Sequence, residues 1–140
     1  MLAPRLLAGI GSHPARYANP VAVLQALAGT APISFPSGQH HQVKMRWACD
    51  KFLRHTVHRW ANSFRHASSW GEVYCRNKRQ AGMSHACALR RLGQRLVKIV
   101  FRMMSDKKPD DADLHARNQQ KHGSWVWTLA NQTPAAATGE

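Results

Sequence analysis

The chain has 140 residues and carries 20 Lys and Arg against 7 Asp and Glu, which gives a formal net charge of +13. This length predicts one domain, and the charge favours an anionic partner, with nucleic acid first and an acidic membrane surface as the alternative. The three cysteines form no C-x-x-C pair and no run of about 18 apolar residues is present, which excludes disulfide-rich and membrane-spanning classes.

Two short helices are predicted at the N-terminus. Residues 2–10 place their apolar side chains on one side, and Gly11 is expected to end this helix. The next helix begins at Asn19-Pro20, where proline suits the first helical position, and it ends at residues 28–29.

Residues 29–41 are predicted to form a strained, exposed turn, because two prolines and the Ser37-Gly38 pair oppose a helix. Four cations follow: Lys44, Arg46, Lys51 and Arg54. A serine on a tight turn in front of such a cluster is suited to attack a phosphodiester, since cations neutralise the charge that builds on the phosphate. The alternative is an ordinary surface turn.

The third helix is predicted over residues 45–65. One side of it is apolar, with Leu53, Val57, Trp60 and Phe64 at helical spacing, and the other side is cationic and rich in histidine. A solvated polar face is the alternative interpretation. Between residues 44 and 102, however, 14 Lys and Arg stand against only Asp50 and Glu72, which favours contact with nucleic acid.

Two more helices are expected before residue 105. Ser69 and Glu72 have the spacing of a capping box at the start of the fourth helix, and Ser84 is expected to cap the fifth, which runs to about residue 104. The fifth helix carries a line of four cations at helical spacing: Arg91, Arg95, Lys98 and Arg102. Because like charges at this spacing repel one another, the line predicts contact with phosphates.

The remaining residues, 109–140, are predicted to be a polar, partly disordered tail in which Trp125 and Trp127 dock back on the core. The nine histidines invite a metal hypothesis, but no Cys/His spacing matches a zinc site, so no metal is expected in this chain. Trp60 belongs to the apolar side of the third helix. Trp47 is the tryptophan that the pattern leaves available to stack on a base.

Several short motifs occur in an order typical of one family: Ala28-Gly29-Thr30-Ala31-Pro32, Ser37-Gly38, Arg46-Trp47-Ala48-Cys49, Leu53-Arg54, Trp60-Ala61, Trp70 with Tyr74, Gly82-Met83-Ser84-His85-Ala86 and Leu89-Arg90. Over residues 2–123 the chain resembles the C-terminal serine domain of the Piv-like insertion-sequence transposases, the IS one-ten group, also called bridge recombinases. The resemblance implies that Ser37 attacks DNA and holds a covalent phosphoserine during strand exchange. The family often carries lysine where this chain has Gln39, which removes one cation beside the nucleophile.

The resemblance also implies partners and a cofactor. In the family, a separate RNase H-like domain contributes four carboxylates that bind a divalent metal, expected to be magnesium, and a structured RNA guides target choice. The acidic residues of this chain do not supply such a set. We therefore expect DNA as the partner, with a guide RNA, an RNase H-like domain supplied separately and self-association as further partners. The expected location is the bacterial cytoplasm, at the nucleoid.

The sequence thus predicts a mainly α fold of about five helices, with the serine turn between helices two and three. The resemblance implies that residues 1–28 are the remnant of a helix-hairpin-helix, truncated at the N-terminus, and the helix that follows it. Residues 29–108 form the basic, serine-recombinase-like domain, and the C-terminal tail is disordered. The predicted function is that of a transposase fragment, truncated at its N-terminus, that binds DNA but does not recombine it alone. Two alternatives are a nucleic-acid-binding module without chemistry and an unproductive reading frame that folds poorly.

Overall fold

The computed structural model describes residues 1–11 and 19–132. Its elements, in chain order, are α1 (Ala3–Ile10), α2 (Pro20–Leu27), β1 (Ile33–Ser37), β2 (His40–Lys44), α3 (Lys51–Ala67), α4 (Ser69–Gln80), α5 (His85–Asp106), α6 (Ala112–Lys121) and α7 (Trp125–Gln132). The prediction of a mainly α fold is confirmed. Its count was too low, because the described residues form seven helices together with one two-stranded hairpin.

Both N-terminal helices begin and end close to where the sequence predicts. Gly11 follows α1 with a φ of 81°, a left-handed conformation that glycine adopts without strain. At the start of α2, the side-chain oxygen of Asn19 accepts a hydrogen bond from the backbone N–H of Ala22 at 3.4 Å. The two helices pack mainly on different partners, α1 on α3 and α2 on α5. Each therefore has a place in the helical core.

The predicted serine turn is the tip of an antiparallel hairpin, with Ile33 paired to Lys44 at its base and Ser37 paired to His40 at its tip. Prolines oppose helix in this segment, but Pro36 is compatible with an edge strand, because an edge strand does not need every backbone N–H for pairing. The main contacts of each strand are with the other strand. The hairpin therefore stands apart from the packed helices.

Two predicted helix starts were wrong. Helix α3 begins at Lys51 rather than at residue 45, because the carboxylate of Asp50 accepts hydrogen bonds from the backbone N–H groups of Phe52 and Leu53 at 2.8 and 3.0 Å. Helix α4 has Ser68 in the N-cap position, so the capping box expected from Ser69 does not form. The side chain of Ser68 makes no capping hydrogen bond either.

The region predicted as a polar tail contains two helices up to residue 132. Asp111 caps α6 by accepting from the backbone N–H groups of Asp113 and Leu114, both at 3.0 Å. Val126 of α7 is fully buried, and the ring of Trp125 stacks on that of Tyr74 with centroids 5.7 Å apart. Trp125 docks on the core as predicted. The residues predicted as a disordered end, 134–140, lie outside the described residues.

The core is organised around the crossing of α3 and α5. A Cβ atom added at Gly93 would lie 2.9 Å from Cγ1 of Val57, so a glycine is required for the two helices to approach this closely. Two clusters of buried side chains adjoin this crossing. Leu89, Leu92 and Leu96 on α5 are buried as predicted. No helix within residues 1–11 and 19–132 combines the length and the apolar character needed to cross a membrane.

Candidate nucleic-acid interface

Two adjoining depressions lie between the base of the hairpin, the segment before α3 and one side of α5. The first has a volume of about 290 Å³ and the second about 350 Å³, and Thr30, Met45 and Arg90 line both. The cations that line one or both are Lys44, Arg46, Lys51, Arg54, Arg90 and Arg91. Of the described side chains around them, none is a carboxylate. We call the two depressions together the basic groove.

The segment that enters the hairpin is fixed to the helices beneath the groove. The backbone carbonyl of Gln25 accepts hydrogen bonds from the N–H groups of Thr30 and Ala31 at 3.0 and 3.2 Å, and from the Thr30 hydroxyl at 3.1 Å. The side-chain amide of Gln25 donates to the backbone carbonyl of Gln94 on α5 at 3.1 Å. The root of the hairpin is therefore anchored to the helix that carries Arg90 and Arg91.

Gly29 allows the chain to turn closely against Arg54 of α3. Its φ is 63°, and an added Cβ atom would meet Cys49 Sγ at 2.8 Å and Arg54 Cδ at 3.0 Å. Only a glycine satisfies both the backbone angle and this close approach. Any other residue at position 29 would therefore displace Arg54 or Cys49.

Two guanidinium groups of the groove have buried N–H groups without an acceptor. These are Nε of Arg46 and Nη1 of Arg54, and neither has a hydrogen-bond partner among the described residues. A buried charged donor without an acceptor costs free energy, on the order of 1–3 kcal/mol or more. Phosphate oxygens are strong acceptors for such donors. The groove therefore offers buried donors whose hydrogen bonds an anion would satisfy.

The predicted line of cations on α5 is divided. Arg91 lines the basic groove, while the guanidinium of Arg95 lies 4.8 Å from the ring centroid of Tyr74. Arg102 lies farther along the helix, where its Nε forms an ion pair with Asp106 at 2.8 Å. Lys98 is exposed and lines neither depression. Contact between these last three residues and phosphates remains a prediction.

Ser37 is exposed at the tip of the hairpin and lines neither depression. Gly38, with a φ of 56°, and Gln39 form the two-residue turn that follows it. A glycine with positive φ in the first position is the requirement of a type II′ hairpin turn. Ser37 is four residues farther along β1 than Ile33, the partner of Lys44, which corresponds to about 13 Å at 3.3 Å per residue. The backbone of Ser37 therefore lies well away from the base of the hairpin, where Lys44 begins the cationic segment.

Side chains alternate between the two faces of a strand, and this determines which residues share a face with Ser37. Phe35 and Ser37 lie on the same face of β1, and Lys44, paired with Ile33, belongs to that face. The Lys44 ammonium lies 5.7 Å from the centroid of the Phe35 ring. One face of the hairpin therefore carries the serine, an exposed aromatic ring and a cation in a row.

Histidines form the far edge of the groove. His55 and His58 line the second depression. The pKa of His58 lies below its usual value of 6.5, first because the ring is partly buried and then because Arg90, His85 and His55 surround it. His58 is therefore neutral at pH 7, and a phosphate bound beside it would favour its protonated form.

The sequence reasoning did not select Arg90, although Arg90 lines both depressions. The cations of α5 were selected because they recur at helical spacing. Four and seven residues after Arg90 stand Gln94 and Val97, which carry no charge. The charge pattern therefore gives no signal there. Its one signal was the Leu89-Arg90 motif of the family resemblance.

The described residues do not fit a divalent metal. No group of three or more His, Cys, Asp or Glu side chains within the described ranges converges on one point. The carboxylates of Asp50 and Asp111 cap helices, and that of Asp106 pairs with Arg102. The magnesium that the resemblance implies has no ligand set in this part of the chain.

Comparison with known proteins decides the family. A family model described as "Transposase IS116/IS110/IS902 family" matches residues 1–76, which include α1, α2, the hairpin, α3 and most of α4. The chain belongs to this transposase family. The matched part includes Ser37 and four of the six cations of the basic groove, while Arg90 and Arg91 lie beyond it.

One curated relative is the "Mini-circle putative transposase for IS117" of Streptomyces coelicolor, strain A3(2). It is 34% identical to this member of the family over 97 residues, which are 69% of this chain and 23% of the relative. The chain thus spans about a quarter of the relative's length. No solved structure matches the chain.

Proposed function

We propose that this transposase-family chain binds DNA in the basic groove during DNA transposition. The observation that carries the proposal is the pair of buried, unpartnered guanidinium donors on Arg46 and Arg54 in a groove without carboxylates. Phosphate oxygens would supply the missing acceptors, and Lys44, Lys51, Arg90 and Arg91 would add electrostatic attraction. The proposed location is the bacterial nucleoid, where such DNA is found.

Ser37 is the proposed nucleophile, as the family resemblance implies. Its Oγ would form a bond to a phosphorus of the DNA while one bridging P–O bond breaks. The serine would lose its proton, and the departing sugar oxygen would gain one, so the number of phosphate ester bonds is conserved. The exposed position at the hairpin tip supports this role, because a phosphate on a bulky duplex can reach it without a change in the helices.

The same proposal limits what this chain does alone. The carboxylates that would bind magnesium belong to an RNase H-like domain in the resembled family, and the described residues hold no such set. We infer that the 140 residues bind DNA but recombine it only when that domain is present. A structured guide RNA and self-association are further partners that this proposal includes.

The first test measures binding to a DNA duplex as a function of salt concentration. The Arg90→Ala/Arg91→Ala variant removes two cations of the groove, and Lys98→Ala/Arg102→Ala removes two cations from the other part of the same helix. Because each lost duplex contact lowers the slope of log K against log salt by about 0.9, we expect the first variant to lose up to about 1.8. The loss in the second variant measures whether the predicted phosphate contacts of Lys98 and Arg102 form as well.

Equal losses in the two variants would extend the interface along the whole of α5. No binding by a wild-type chain that unfolds cooperatively would refute the proposal. An absence of cooperative unfolding would support the poorly folding reading frame instead.

The second test concerns the serine. The chain, wild type or Ser37→Ala, is mixed with the RNase H-like domain of a related transposase, Mg²⁺ and labelled DNA, and protein–DNA adducts are resolved on a denaturing gel. We expect an adduct with wild type and none with Ser37→Ala, while both bind duplex DNA equally. An adduct that persists in the variant would remove Ser37 from this role.

A binding module without chemistry is the second candidate function. The observation in its favour is that the hydroxyls of Thr30, Thr56 and Ser84 have hydrogen-bond partners, whereas that of Ser37 has none among the described side chains. DNA binding without an adduct in the second test would support this candidate.

A further inference from the structure

Among the described residues, three exposed aromatic rings lie in the N-terminal half of the chain, and each has a cation near its ring. Phe35 is 50% exposed with Lys44 at 5.7 Å from its centroid, and Trp47 is 73% exposed with the Arg54 guanidinium at 5.6 Å. Phe52 is 48% exposed, with the guanidinium of Arg5 at 5.0 Å. Aromatic rings interleaved with cations are typical of surfaces that bind unpaired nucleotides.

Trp47 is the ring that adjoins the basic groove most directly. It follows Arg46, which lines the first depression, and it contacts Arg54, which lines the second. These are also the two arginines with buried, unpartnered donors. An indole and two unsatisfied guanidinium groups thus occupy one edge of the groove.

The other tryptophans with described ring contacts have structural roles. Trp70 packs edge-to-face on Phe64 with centroids 5.0 Å apart, and Trp125 stacks on Tyr74. Trp47 belongs to neither core cluster, and its described ring contact is the one with Arg54. Exposing a large aromatic ring gives up the stabilisation that its burial would provide. The exposure of Trp47 therefore needs an explanation outside the fold.

We propose that Trp47 stacks on an unpaired DNA base while Arg46 and Arg54 bind the neighbouring phosphates. The groove then prefers DNA with unpaired nucleotides to a continuous duplex. This inference rests on the proposed DNA-binding function and specifies the form of DNA that the groove takes. The guanidinium of Arg54 holds the indole from one side, and the high exposure of Trp47 leaves ring surface for a base.

The test compares a DNA duplex with the same duplex carrying a three-nucleotide bubble, by fluorescence anisotropy of a label at the DNA end. Stacking on an aromatic side chain is worth enough per base to favour the bubble by about 5- to 150-fold. Trp47→Ala should abolish that preference, so that this variant binds the duplex and the bubble with equal affinity. Trp47→Phe should retain most of the preference, because a phenyl ring still stacks.

Leu114→Ala provides a matched control, since Leu114 is also a large exposed side chain, 51% exposed, but lies on α6. It should bind both DNA forms as wild type does. A 2-aminopurine placed in the bubble reports the contact itself: its fluorescence should be quenched by wild type and not by Trp47→Ala.

Two results would overturn the inference and leave the proposed function standing. One is equal affinity of wild type for duplex and bubble; the other is a Trp47→Ala variant that loses affinity for both forms by the same factor. A wild-type chain that binds neither form would refute both proposals. Tighter binding to an RNA hairpin loop than to the DNA bubble, again dependent on Trp47, would overturn the assignment to DNA.

Discussion

The basic groove and an apolar cavity elsewhere in the molecule are both lined by residues of the long helices α3 and α5, but these residues differ in character. The cavity, of about 680 Å³, lies among α3, α4, α5, α6 and α7 and is lined largely by side chains such as Trp60, Phe64 and Ile99. The groove is lined by six cations and contains unpartnered donors. The side chains packed around the cavity thus belong to the core, whereas the groove concentrates like charges that an anionic ligand would offset.

This difference predicts that substitutions in the two regions have opposite consequences. In the cavity region they should lower stability and leave the DNA affinity of the folded protein unchanged. In the groove they should lower DNA affinity with a smaller loss of stability. The predictions below test this separation.

The largest effect is expected from Leu96→Ala. Leu96 is 1% exposed, belongs to the core and lines the cavity, so its truncation should cost about 2–5 kcal/mol of unfolding free energy. Urea unfolding measures this loss, and DNA affinity measured well below the transition should be unchanged. Leu114→Ala should shift stability by less than about 0.5 kcal/mol. A fall in DNA affinity in folded Leu96→Ala would show that the two regions are coupled.

An intermediate effect is expected from Gly29→Ala compared with Gly82→Ala. Both glycines have positive φ, 63° and 84°, so each alanine costs about 1–2 kcal/mol of backbone strain. Only at position 29 would the added Cβ also displace Cys49 and Arg54, since nothing lies within 4 Å of a Cβ at position 82. We expect both variants to lose stability in thermal unfolding and only Gly29→Ala to lose DNA affinity. Equal DNA affinities would remove Arg54 from the interface.

The smallest effect concerns His58 and pH. Its pKa is lowered in the folded chain, so below pH 6.5 the unfolded state binds more protons and stability falls as pH falls. His58→Gln should reduce that dependence between pH 8 and 5.5 in urea unfolding. DNA binding should have the opposite sign, tightening toward acid pH more in wild type than in the variant. A pH dependence identical in the two proteins would mean that His58 does not contribute.

The sequence predicted those features that local chemistry determines. Apolar residues at helical spacing identified the buried side of α5, and Asn19 and Ser84 identified the N-caps of α2 and α5. The hairpin was missed because Pro32 and Pro36 lie just before and within β1, and because its strands lack a regular alternation of buried residues, as both faces are largely exposed. Helices α6 and α7 were missed because α6 is largely polar and α7 is short, so docking on the core, as by the fully buried Val126, stabilises them.

The candidate site was predictable in its cations and not in its shape. Lys44, Arg46, Lys51 and Arg54 follow one another in the chain, and the structure brings them to one groove. Arg90 lies beside these four cations because α3 packs against α5, and no local sequence pattern encodes that packing. The distance between these cations and Ser37 depends on the length of a hairpin that the sequence did not reveal.

The hydrogen bond from Gln25 to Gln94 means that the length of the hairpin determines the distance from the groove to the hairpin tip. It fixes the origin of the strands on α5, so the number of residues between that origin and Ser37 sets how far the serine lies from the cations of the groove. Two extra residues in each strand would preserve the faces and move the serine by about 6.6 Å, close to two nucleotide steps along one DNA strand. If Ser37 is the nucleophile, the insertion junctions determined by sequencing would shift by about two nucleotides. The length of the hairpin would then set the position of strand exchange without any contact to a base.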